Sequence, residues 1–125
     1  MNELVLFAAF GIKHFVVDFP LQTRFQYSNK GTYGHGGGIL HSLLHGYGTF
    51  LCLMFFVPIP IASWLASLDI VIHYHVDWAK VNINTKFGWG PTTHDQFWWL
   101  LGFDQLLHWL TYVGIIYLAI GYHGL

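Results

Sequence analysis

Four apolar runs dominate this chain, covering residues 4–19, 39–57, 59–76 and 97–122. An apolar helix of about 20 residues crosses a bilayer, and roughly 17 can suffice, so each run meets or approaches the length of a span. The third is the most interrupted, by Asp69, His73 and His75. Only Val57-Pro58-Ile59-Pro60 separates the second run from the third. Proline disfavours helix at the residue before it and is tolerated at a helix start, which predicts a tight break and an antiparallel hairpin. The first connection, about residues 20–38, is polar and ends Gly34-His35-Gly36-Gly37-Gly38, and the third covers about residues 80–92. Thr93-His94-Asp95-Gln96 then has the form of a capping box, which predicts a last helix with Thr93 as N-cap and Gln96 reaching back. The whole chain, residues 1–125, reads as a single all-α domain: an integral-membrane four-helix bundle of up-down-up-down order.

The polar positions inside these runs are not scattered. Each run, or its immediate end, carries a pair at i,i+4 spacing: His14 with Asp18, His41 with His45, His73 with Asp77, and Asp104 with His108. Residues four apart share a helix face about 6 Å apart along the axis, so every helix offers two metal-type ligands on one side. Sequence order also brings the pairs together. The first closes helix one, the second opens helix two, the third closes helix three and the fourth lies two to three turns into helix four. In an up-down-up-down bundle those ends share one side of the membrane, and the pairs can converge on one layer near that surface.

Charge orients the bundle. All five basic residues, Lys13, Arg24, Lys30, Lys80 and Lys86, lie at or near the side of the pairs, while the other side holds Glu3, the Pro58/Pro60 turn and the His123 tail. Short Lys/Arg-rich loops stay in the cytoplasm. The expectation is a bacterial inner-membrane protein with both termini outside and the polar layer facing the cytoplasm, where Trp78, Trp89, Trp98 and Trp99 would form an interfacial belt. On this reading Lys13 and Arg24 are positive-inside and snorkelling residues. The segment Met1-Asn2-Glu3 lacks positive side chains, and Lys13 follows the first run rather than preceding it, so that run reads as a retained helix and not a cleavable signal.

Composition agrees. The chain is 54% hydrophobic and only 9% charged, with a mean hydropathy of +0.47. No basic cluster of nucleic-acid type is present. Cys52 is the only cysteine, which excludes an intrachain disulfide and a thiolate zinc site; it reads as a small buried apolar residue.

Ionisable groups inside spans are costly and face the bundle interior with a partner. Any one His–Asp pair could be a structural hydrogen bond, but packing alone rarely needs four such pairs on one level. Imidazole with carboxylate and no thiolate suits zinc first, then iron or manganese. The candidate metal ligands are His14, Asp18, His41, His45, His73, Asp77, Asp104 and His108. They exceed one tetrahedral shell, so either two divalent ions bind or one binds with the spare carboxylates orienting its histidines. An ion there makes an ionised water available near neutral pH for attack on an ester or phosphoanhydride. Asp104 is the candidate general base, and Lys80, one turn beyond Asp77, the candidate to hold a phosphate or to neutralise the site. Asp69, one turn before His73, reads as a partner for that imidazole or as part of a proton path. His35 reads as a loop residue, and His75, two positions from His73, points away from the pairs.

The stretches His14-Phe-Val-Val-Asp18-Phe-Pro-Leu-Gln22, His41-Ser-Leu-Leu-His45, His73-Tyr-His-Val-Asp77-Trp-Ala-Lys80 and Asp104-Gln-Leu-Leu-His108 resemble a family of small bacterial and phage polytopic membrane proteins of unknown function. More distantly, the spaced His and Asp are similar to those of membrane-bound metal-dependent hydrolases. The resemblance implies a site into which Gln22 and Gln105 also face. It does not extend to the glycine run or to the tryptophan-rich third connection. The leading expectation is a membrane-embedded, metal-dependent hydrolase acting at headgroup depth on a lipid or phosphoester, its partners being the bilayer and that substrate. A small metal or proton transporter, as a single chain or an oligomer, is the first alternative; a haem or pigment protein fits the companion carboxylates poorly, and a phage or bacterial accessory protein with a structural polar network is the remaining one.

Overall fold

The computed structural model describes residues 2–123. Five helices follow in order: α1 (Asn2–Asp18), α2 (Arg24–Tyr27), α3 (Gly36–Leu53), α4 (Ile59–Phe87) and α5 (Asp95–His123). There is no strand among the described residues. The four long helices contact one another as α1–α3, α3–α4, α4–α5 and α1–α5, and α2 packs on α3. Helices α3 and α4 form the hairpin predicted at the prolines. Pro58 is the N-cap of α4 and Pro60 lies in its first turn, where a missing N–H costs nothing. Along that hairpin Gly46 is packed so closely that a Cβ there would run into the Ile70 side chain.

Two expectations about boundaries are corrected. Helix α4 does not stop near residue 76 but runs to Phe87, where Gly88 in the left-handed region ends it. The Trp89 N–H reaches the Asn84 carbonyl and the Gly88 N–H that of Thr85, a Schellman closure. Residues 80–87 are therefore helix rather than connection. The capping box at Thr93 does not form: its hydroxyl contacts the Gly90 carbonyl and the His94 ring, and α5 starts at Asp95. His35, by contrast, is no mere loop residue. Its Nδ1 accepts from the Gly37 N–H and caps α3, so the glycine run is the first turn of a helix.

Two helices, Ile59–Phe87 and Asp95–Tyr122, are long and apolar enough to cross a membrane. Helix α1 stops at 17 residues, and the histidines, glycines, Ser42 and Thr49 dilute the apolarity of α3. The distribution of side chains is inverted relative to a water-soluble domain. Leu4, Ile12, Phe15, Phe55, Trp64, Trp99 and Tyr117 are exposed, while Lys13, Lys30, Asp69, Asp77, Asp104 and five histidines are buried. The apolar core occupies only the end of the molecule near the proline turn, where Leu6, Phe10, Leu53, Leu65, Ile115 and Ala119 pack together.

Candidate metal centre

The inward stripe of each long helix changes from apolar to polar within about a turn. On α1 the buried positions run Leu6, Phe10, then Lys13 and His14, with Val17 after them; on α4 they run Ala62, Leu65, Ala66, then Asp69, His73, Asp77. Helical spacing thus stacks the polar positions beyond the apolar core, and the crossing of four helices brings them to one place.

Two overlapping groups of potential metal ligands result. Asp18, His41, His45 and His73 form one, and His73, Asp77 and His108 the other; within each group one ligand atom per residue lies within 4.8 Å of all the rest. Asp18 Oδ1 is 3.0 Å from His41 Nε2 and 3.2 Å from His45 Nε2. His41 Nε2 is 3.2 Å from His73 Nε2. Four donors held about 2.0–2.1 Å from a tetrahedral zinc ion stand roughly 3.3–3.4 Å apart, close to these three separations. The His73 ring stacks on His45 and His108, with centroids 3.6 and 4.0 Å away.

The hydrogen bonding around His41 favours a cation. Gln26, in the first connection, donates from Nε2 to the Leu21 carbonyl. That leaves its Oε1 to accept from His41 Nδ1, 3.2 Å away. In a neutral His41 the lone pair is then on Nε2, facing Asp18 Oδ1 at 3.0 Å and Asp77 Oδ2 at 3.4 Å. Acceptors facing acceptors in a buried site repel unless a proton or a metal ion lies between them. A hydrogen bond behind a histidine that leaves the other ring nitrogen free is a common arrangement in metal sites.

The remaining predicted ligands surround these groups. His14 Nε2 faces two acceptors, Asp18 Oδ2 at 2.9 Å and Gln105 Oε1 at 2.9 Å, and its Nδ1 meets the Tyr112 hydroxyl at 2.7 Å. It therefore donates from Nε2 and orients the Asp18 carboxylate. Asp104 Oδ2 accepts from Lys80 at 3.2 Å and from Gln105 at 3.1 Å, while Oδ1 is 3.4 Å from His108 Nε2. Neither His14 nor Asp104 belongs to the two convergent groups. Gln22 donates to the Asp18 carbonyl.

Two lysines are buried beside these groups. Lys13 is not a snorkelling residue. It is buried, 3.0 Å from Asp69 Oδ2, 3.3 Å from the Tyr112 hydroxyl and 3.4 Å from His45 Nδ1. Its partner Asp69 also accepts from Thr49 at 2.5 Å, so the hydrogen bonds of Asp69 reach α1 and α3. Lys30 is buried as well, 2.7 Å from Asp77 Oδ2. The signal for Lys13 was present: Leu6, Phe10, Lys13, His14 and Val17 recur at helical spacing on one stripe. No local pattern marks Lys30 or Gln26.

The first connection reaches the site because two contacts dock it. Asn82, on the extension of α4, donates to the Gly31 carbonyl, and the Gly34 N–H donates to the Tyr74 hydroxyl. A Cβ on Gly37 would collide with the Phe25 carbonyl. The glycines thus let α2 lie against the start of α3, which sets Gln26 against His41. Beside the centre is a cleft of about 310 Å³, lined by Asp18, Gln22, Lys30, Asp77, Lys80 and Asp104 among others. His75, exposed on the far side of α4, bonds the Val71 carbonyl and Tyr33.

No curated protein matches this chain, and no solved structure does. Residues 6–123 match a family described as protein of unknown function (DUF3307), and the chain belongs to that family.

Proposed function

We propose that this protein is a membrane-embedded, metal-dependent hydrolase whose site opens at headgroup level on the cytoplasmic side and acts on a lipid or phosphoester. Helices α1, α3, α4 and α5 are read as an up-down-up-down bundle crossing the bacterial inner membrane, with both termini outside. The apolar outer surface and polar interior support that reading, because lipid covers the one and only a bundle interior suits the other. The observation that carries the proposal is the convergence of Asp18, His41, His45, His73, Asp77 and His108 beside a polar cleft.

Zinc is the leading metal, with iron or manganese next. The single Nε2 of His73 serves one ion. If it joins Asp18, His41 and His45, four protein donors close that site. A second ion would then rest on Asp77 and His108, with positions left open toward the cleft and Asp104 beside it. A divalent ion there would supply Lewis acidity and lower the pKa of a coordinated water. The chain's own residues do the rest: His14 and Gln26 orient ligands, while Lys80 holds Asp104, the proposed general base. Transport is disfavoured by Leu6, Phe10, Leu53 and Leu65, an apolar layer that closes the polar path one turn beyond Lys13 and Asp69.

The test is release of phosphate or alcohol from a panel of lipid esters, lipid phosphates and soluble phosphoesters by the zinc- or manganese-loaded protein. Turnover lost on chelation and in Asp77→Asn supports the proposal. A protein that holds stoichiometric metal and cleaves nothing across the panel contradicts the hydrolase reading.

A further inference from the structure

We propose that the substrate is a phosphate-bearing lipid, with its phosphate held by Lys30 and Lys80 and its acyl chain in the apolar groove between α4 and α5. This rests on the metal reading above and names the substrate class of that site.

Charge argues for the anion. Lys30 and Lys80 line the cleft, each engaged with a carboxylate, Asp77 at 2.7 Å and Asp104 at 3.2 Å. Three carboxylates, Asp18, Asp77 and Asp104, face two ammonium groups there, leaving one negative charge in excess. A single divalent ion reverses that sign, and a second adds to the surplus. Carboxylates turned toward metal also leave lysine N–H donors in need of acceptors, and a phosphate offers several in charge-assisted bonds. Gln22 Oε1, buried without a hydrogen-bond partner, lines the same cleft and can accept from a headgroup hydroxyl.

Continuity argues for the chain. A groove of about 250 Å³ lies between α4 and α5, lined by Val76, Ala79, Ile83, Leu100, Phe103 and Leu107. Lys80 and Asp104 line both it and the polar cleft, so a phosphate at Lys80 stands where the groove begins. Phe103 and Ile83 are exposed on its outer side, toward the lipid in the membrane reading. An aliphatic chain is the occupant that joins the two. A second apolar groove of about 270 Å³, at Ile39, Ile70, Val71 and Tyr74, shares no lining residue with the cleft and serves as the control.

The experiment uses the full chain, zinc-loaded, in a fixed concentration of phosphate-free detergent. Retention of radiolabelled inorganic phosphate is measured by equilibrium dialysis, with zinc content followed in parallel and dodecyl phosphate as competitor. The expected result is retention that falls at least tenfold on chelation. Expressed per bound zinc, it falls about tenfold in Lys30→Gln and in Lys80→Gln, with recovery in Lys80→Arg. Dodecyl phosphate competes better than inorganic phosphate at the same detergent concentration. Ala79→Trp abolishes that advantage without changing phosphate retention, and Val71→Trp preserves it. Ile83→Trp replaces Ala79→Trp if circular dichroism shows the latter unfolded. Zinc bound without phosphate retention, or equal retention in the glutamine variants, overturns the anion site and leaves the metal reading intact. Dodecyl phosphate no better than inorganic phosphate, or an advantage that survives both groove variants, overturns the lipid assignment and leaves a site for a soluble phosphate. A folded protein that takes up no zinc, manganese or iron overturns the metal reading and this proposal with it.

Discussion

The two ends of the same four long helices are built on opposite terms. Toward the proline turn, Leu6 and Phe10 of α1, Leu53 of α3, Leu65 of α4 and Ile115 of α5 form an apolar core. Toward the other end the same helices bury His14 and Asp18, His41 and His45, His73 and Asp77, and Asp104 and His108, with only Asp18 keeping noticeable exposure. Tyr112 joins the halves: its ring packs on Phe10 with centroids 5.2 Å apart, and its hydroxyl contacts His14 and Lys13. The apolar half fixes how the helices cross by packing alone. The polar half accepts the cost of buried ionisable groups, and a bound cation is what would offset it.

The largest effect should come from the border between the halves. Removing one partner of a buried ion pair leaves an uncompensated charge, at a cost of about 3–5 kcal/mol. Lys13→Met should lower stability by that amount in detergent unfolding, and the Lys13→Met/Asp69→Leu double variant should recover most of it. A single variant as stable as wild type would mean that the Lys13–Asp69 pair carries no stability. In the apolar half, Leu65→Ala should cost about 2–5 kcal/mol while leaving metal stoichiometry unchanged. Metal lost in that variant, at a temperature where it is still folded, would show that the two ends are not separable.

Smaller effects sharpen the polar half. Gln26→Ala removes the acceptor behind His41 and should weaken metal binding about 10–100-fold, at a stability cost of about 1–3 kcal/mol for the buried N–H left unpaired. Gly37→Ala should do the same indirectly, because its Cβ displaces the Phe25 carbonyl and with it Gln26; overpacking adds about 1–3 kcal/mol of destabilisation. Competition with a chelator of known affinity reads both. Unchanged affinity in Gln26→Ala would remove the first connection from the account of the site.

The halves also differ in how far the sequence discloses them. The i,i+4 pairs are visible because helix geometry makes such spacing a shared face, and their convergence follows from which helix ends they occupy. Lys13 is readable in retrospect as a member of the inward stripe Leu6, Phe10, His14, Val17, but a lysine near a helix end also suits a snorkelling role. Lys30 and Gln26 were not legible. They reach Asp77 and His41 only because α4 continues to Phe87, letting Asn82 hold Gly31, and because α2 packs on glycines. That extension hides behind Asn82, Asn84 and Thr85, poor helix formers whose helix is sustained by tertiary contacts and closed by Gly88. Thr93 shows the converse, since a fitting motif lost its hydroxyl to nearer partners, the Gly90 carbonyl and the His94 ring.

The most direct test of the central claim is metal content by mass spectrometry on detergent-purified wild type, His41→Ala and His73→Ala after reconstitution with zinc, manganese and iron. The account predicts one or two equivalents in the wild type and loss of at least one in each variant, with helix content unchanged. A folded wild type that retains no metal, or variants that retain as much as the wild type, would contradict it.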